Sequence, residues 1–123
     1  MTEGKKPEDI RQRTFRFAIA VITLCRTLPK DEVNRVLTNQ IIRSATSIGA
    51  NLEEASGART RPEFTNCTNI ARREARETYY WLKIIYETNS QTIKNRMEDL
   101  MREANEIISI LTSTMKKLRV NTS

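Results

Sequence analysis

The sequence contains no histidine, and that absence excludes more chemistry than any other feature of its composition. Histidine is the usual general base near neutral pH and the commonest metal ligand, so triads and metal centres that depend on an imidazole are ruled out. Glycine and proline number three each, too few for the turns of a many-stranded β fold. Gly4, Gly49 and Gly57 are too scattered to build a phosphate-cradling loop, and no G-x-x-x-x-G-K-[ST], G-x-G-x-x-G or G-x-S-x-G motif occurs. The two cysteines, Cys25 and Cys67, form no C-x-x-C pair and fall on apolar helical faces, which reads as small core residues in a reducing compartment. The longest purely apolar run, Phe17 to Ile22, is far shorter than the ~20 residues that span a bilayer. Met1 to Pro7 is polar with no signal-peptide core behind it, so a soluble cytoplasmic protein without membrane contact is expected.

What is present points to helices. A chain of 123 residues fits one domain, and its 38% hydrophobic and 29% charged residues are too apolar for disorder. The periodicity predicts an all-α fold, an antiparallel up-down-up-down four-helix bundle over residues 9–118, with a disordered tail at 1–8 and a short tail at 119–123. In the first helix Ile10, Thr14, Phe17, Val21, Leu24 and Leu28 recur at steps of four and three. It must stop near Leu28, because Pro29 disfavours the α conformation before it, and Asp31 then offers an N-cap oxygen to a second helix.

The second helix, about Glu32 to Ala55, carries the stripe Val33, Leu37, Ile41, Ala45, Ile48, Leu52 and Ala55. Beside it runs a row of small or hydrogen-bonding residues: Gln40, Ser44, Ser47, Asn51 and Glu54. Gly49 interrupts this helix at a cost near ~1 kcal/mol relative to alanine, which suits either a close approach of another backbone, a bend, or a tolerated surface glycine. Gly57 suits a C′ position, and Thr60-Arg61-Pro62-Glu63 is a capping box that starts a third helix at Arg61. Its core side is Phe64, Cys67, Ala71, Ala75, Thr78, Leu82 and Ile85, with Trp81 at the core or its margin. The fourth helix shows the clearest repeat, Ile93, Met97, Leu100, Ala104, Ile107, Leu111, Met115 and Leu118, before a basic end that suits a helix C-terminus.

Two polar or apolar features exceed what a bundle core needs. Phe15, Ile19 and Ile22 lie nearly opposite Phe17, Val21 and Leu24, so the first helix is apolar over more of its circumference than one core-facing arc of ~100°. A monomer would leave this second row wet, and self-association through Phe15, Ile19 and Ile22 is expected. Asn51, Glu54 and Glu77 flank the apolar stripes of the second and third helices. They are expected to bond to an arginine such as Arg43, Arg73 or Arg76 and so fix register, with simple solvation of Glu54 and Glu77 the alternative.

The run Ser47-Ile48-Gly49-Ala50-Asn51-Leu52-Glu53-Glu54-Ala55, followed by Glu63-Phe64, Ile70-Ala71 and Glu74-Ala75-Arg76-Glu77-Thr78-Tyr79-Tyr80-Trp81-Leu82, resembles the bacterial ribosomal-RNA intervening-sequence (S23-type) family. Arg13-Thr14, Phe17-Ala18 and Leu28-Pro29 fit as well, while the fourth helix matches only in pattern. Some members carry Pro at the position of Gly49 and Ile-Ala-Glu-Gly at Leu52-Glu53-Glu54-Ala55, so this chain resembles the Gly-containing variant. The resemblance implies an up-down-up-down bundle, often a ring-like homopentamer. It also implies kinship with accessory proteins of reverse transcriptases in diversity-generating retroelements, which bind nucleic acid through basic surfaces.

Paired carboxylates at Glu53 and Glu54, or Glu74 and Glu77, are far more often solvated or salt-bridged than catalytic, so neither an enzymatic role nor a cofactor is expected. Two functions stay open. The net charge of +6 and the pI near 9.7 suit a non-catalytic accessory protein that binds structured RNA or DNA without sequence specificity. Its phosphate contacts would come from Arg11, Arg13 and Arg16, from Arg72, Arg73 and Arg76, and from Lys116, Lys117 and Arg119. The alternative is a structural or protein-interaction scaffold whose charge serves only solubility.

Overall fold

A computed structural model describes residues 9–120 and places four helices in order: α1 (Ile10–Thr27), α2 (Glu32–Ser56), α3 (Arg61–Thr88) and α4 (Gln91–Val120). The tails expected at 1–8 and 121–123 lie outside the described residues. Arg119 and Val120, expected in a tail, instead extend α4 by another half turn.

Each helix begins where the chain offers an oxygen to its first amides. Asp9 accepts from Arg11 N at 2.8 Å, Asp31 from Asn34 N at 2.8 Å and Thr60 from Glu63 N at 3.2 Å. The capping box at α3 closes differently from expectation: Glu63 Oε1 accepts from Arg59 N at 3.3 Å, one residue further back than the cap. Leu28 ends α1 in an extended conformation ahead of Pro29. Gly57 ends α2 with φ −99°, so its amide bonds back to Glu54 O at 3.1 Å without the left-handed geometry of a glycine C′.

Cross-helix contacts fix the topology. Arg43 and Ser44 of α2 meet Glu74, Glu77 and Thr78 of α3, while Asn34 near the start of α2 meets Asn89 just beyond α3, so the two helices run antiparallel. Arg61 of α3 reaches Leu118 of α4, and Arg13 of α1 reaches Glu103 and Glu106. Neighbours pack in the order α1–α2–α3–α4 and α4 returns to α1, with no diagonal packing, which is the square array of an up-down-up-down bundle.

Val21, Ile41, Ile48, Leu82, Ile85, Met97, Ile107 and Leu111 are almost wholly enclosed in one core, where truncating any of the larger ones to alanine costs about 2–5 kcal/mol. Three expected core members, Val33, Phe64 and Cys67, lie toward the rims. Val33, in the first turn of α2, is 61% exposed, and the next residue, Asn34, is buried in its place. Its amide nitrogen donates to Pro29 O at 3.1 Å and to Asn89 Oδ1 at 3.3 Å, while Asn89 donates back at 3.2 Å, so a polar side chain is fully paired between two connections. Phe64, in the first turn of α3, is exposed and Cys67 half-buried; the buried position there is Thr68, whose hydroxyl donates to Phe64 O at 2.8 Å. Trp81 packs against the core margin as expected, and its indole N–H donates to Glu77 Oε2 at 3.0 Å. Gly49 marks a close approach: a Cβ there would stand 3.4 Å from Thr14 Oγ1 and 3.9 Å from the backbone of α1.

Candidate nucleic-acid interface

The nine basic residues singled out in the sequence do not converge on one place. Arg13 is spent inside the protein, contrary to expectation. Its Nε and Nη2 donate to Glu103 at 2.7 and 2.9 Å, and Nη2 also donates to Glu106 at 2.7 Å. Glu103 and then Glu106 hold this half-buried guanidinium in its charged form, pushing its pKa above the ordinary arginine value. Arg11 is likewise tied, by its Nη2 to Asp9 Oδ2 at 3.1 Å across the start of α1. Arg16 is exposed on the same helix and lines a groove between α1 and α4 together with Arg96. Lys116, Lys117 and Arg119 are exposed on the last turns of α4, beside the start of α3.

On α3 the arrangement differs. Arg72 is half-buried and donates to Asn69 Oδ1 at 3.1 Å. Arg73 and Arg76 are exposed and make no ion pair among the described residues, although Glu74 and Glu77 lie next to them in sequence. The reason is Arg43 on α2, which takes both carboxylates: its Nη1 donates to Glu74 at 3.3 Å and its Nη2 to Glu77. Glu77 is thus paired as expected, with Arg43 from among the candidates. Asn51 instead bonds within its own helix, to Ser47 O at 2.9 Å and Ser47 Oγ at 3.1 Å, and Glu54 is exposed with no partner among the described residues. The small-residue row does join α2 to α3, but through Ser44 and Thr78, whose buried hydroxyl oxygens stand 2.8 Å apart.

Sequence reasoning missed what lies beside the arginines. Arg73, Arg76, Tyr80 and Lys83 follow one another at steps of three, four and three, all exposed, and so form one stripe on α3. With Tyr79 and Ile108 they line a shallow depression of about 520 Å³. The spacing was readable in the sequence; the exposure of Tyr80, in a row that also holds half-buried Tyr79 and Trp81, was not.

Phe15, Ile19 and Ile22 are brought together. They line a groove of about 790 Å³ between α1 and α2, with Ala18, Gly49 and Ala50 beside them. Phe15 is 63% and Ile19 49% exposed, which places large apolar side chains in contact with water on one face.

Comparison with known proteins decides the family. Residues 6–113 match the family described as 23S rRNA-intervening sequence protein. The chain belongs to this family. A crystal structure of a protein of unknown function from the S23 ribosomal protein family of Bacteroides thetaiotaomicron is similar over 88% of this chain and 99% of its own, at 34% identity and a TM-score of 0.78. No functionally curated protein matches the chain. Among the described residues of this family member no helix is long and apolar enough to cross a membrane, and no group of three His, Cys, Asp or Glu side chains is placed to hold a metal ion.

Proposed function

We propose that this member of the 23S rRNA-intervening sequence protein family is a non-catalytic, self-associating accessory protein that binds RNA or DNA through phosphate contacts. The observation that carries the reading is the division of charge between α2 and α3. Arg43 neutralises Glu74 and Glu77, which leaves Arg73 and Arg76 as outward cations whose adjacent acids are already engaged, with Lys83 exposed on the same face. Such a row contacts phosphates without reading base identity. Self-association rests on the exposed Phe15 and Ile19 beside the α1–α2 groove, with a second copy of this chain as the occupant and a homopentamer as the assembly that the resemblance implies. Repeating the basic row around a closed assembly turns weak phosphate contacts into avidity.

The test is retention of structured RNA and duplex DNA across a salt series. Affinity should fall steeply as log salt rises, and Arg73→Glu with Arg76→Glu should weaken every sequence alike. No retention of either nucleic acid at low salt would favour a protein-interaction scaffold. Light scattering that reports a 14.3 kDa monomer at micromolar concentration would overturn the self-association, and Ile19→Asp should dissociate the oligomer.

A further inference from the structure

Resting on that nucleic-acid reading, we infer that the α3 stripe takes unpaired, single-stranded nucleic acid, with one base stacked on Tyr80 and the flanking phosphates held by Arg73, Arg76 and Lys83. Tyr80 is 53% exposed, the more open of the two large rings, with Phe64, that α3 leaves on the surface. Its ring meets Trp81 edge to face at a centroid separation of 5.3 Å, a contact that restrains it. Lys83 is positioned as well, its ammonium 5.3 Å from the centre of the Tyr79 ring. Glu77, the acid that also borders the depression, accepts from Arg43 and from the Trp81 indole, so its charge is not directed at an incoming phosphate.

The dimensions suit a short strand. Arg73 and Lys83 are ten residues apart on one helix, about 15 Å at ~1.5 Å per residue, which matches about four stacked nucleotides at ~3.4 Å each. Glu87 stands one turn beyond Lys83 and closes the row at that end. In an intact duplex the base faces are stacked on one another and closed to a protein ring, whereas an unpaired base offers its face to an aromatic side chain. An aromatic ring between cations is therefore an arrangement that separates single strands from duplexes.

The experiment compares a labelled 20-nucleotide oligothymidylate with a duplex of the same length, using the full chain at fixed low salt. Wild type should prefer the single strand. Tyr80→Ala should weaken single-strand binding by about 5- to 150-fold, the equivalent of ~1–3 kcal/mol per stacked base, and leave duplex binding within about twofold. Tyr80→Phe, which keeps the ring, should retain the preference. Lys83→Gln should weaken both probes alike. Equal loss on both probes with Tyr80→Ala, or loss on neither, overturns base stacking while leaving phosphate binding intact. Failure of wild type to retain either probe overturns the parent reading too. A polyglutamate peptide that binds as tightly as the oligonucleotide, with no response to Tyr80→Ala, overturns the inference in favour of an acidic protein partner.

Discussion

Replacing Gly49 by alanine adds one methyl group at the point where α2 presses on α1, and the sign of the effect follows from the space available. The new Cβ would meet Thr14 Oγ1 at 3.4 Å and the backbone of Thr14 and Phe15 at 3.9 Å, which is contact without overlap. The Thr14 hydroxyl could not move aside, since it is fully buried and bonded to Ile10 O at 2.9 Å and Arg11 O at 3.2 Å, but it need not. Removing a glycine from a helix interior gains about 1 kcal/mol of helix propensity. Gly49→Ala should therefore stabilise the protein by about 0.5–1 kcal/mol, a rise in Tm of about 2–5 °C for a chain of this size. Gly49→Leu extends further carbons into the α1 backbone, which has no soft neighbour to displace, and should destabilise by about 1–3 kcal/mol. Thermal denaturation followed by circular dichroism, at one protomer concentration throughout, measures both. An alanine variant that loses stability, or a leucine variant as stable as the alanine one, would refute the reasoning: the first by showing less room than the geometry gives, the second by showing no approach of α1 at all.

Three further outcomes are expected. Arg13→Gln should lower stability by about 1–2 kcal/mol in urea titration, because it opens the bidentate pair between α1 and α4; it should leave nucleic-acid affinity within about twofold, as this cation does not face outward. Asn34→Ala should cost about 1–2 kcal/mol, read from the same titration, by removing its bonds to the Pro29 carbonyl and the Asn89 amide, which keep Asp31 N–H and Ile85 O as partners. The side-chain and then backbone hydrogen bonds from Arg11 hold the Asp9 carboxyl below its ordinary 3.8, so the stability it lends is present above that pH and lost as pH falls through the lower folded value. Tm followed from about pH 5 to about pH 2 should show a smaller acid-side loss in Asp9→Asn than in wild type, and equal losses would refute the linkage.

The helices were legible because their signals are local. Asp31, Pro29 and Thr60 act on residues within one turn, and the four-and-three spacing of Ile93 to Met115 needs no partner to be recognised. The rims were not legible, since whether Val33 or Asn34 turns inward depends on Asn89, which lies 55 positions away. The same limit governs the candidate interface. That Arg13 is charged is visible in the sequence; that Glu103 and Glu106 stand opposite it depends on how α4 returns past α1. Likewise Glu74 and Glu77 look like partners for the adjacent Arg73 and Arg76, and only the packing of α2 assigns them elsewhere.

That assignment makes Arg43 a distant governor of the α3 surface. It sits on another helix, yet without it Glu77 would be one helical turn from Arg73 and able to fold over it. An Arg43→Ala variant would then bind nucleic acid more weakly although Arg43 touches no phosphate, and a mutational scan read at face value would map the ligand onto the wrong helix. Pairing the variant with Glu77→Gln separates the two cases, because removing the released carboxylate restores an affinity that a missing contact could not.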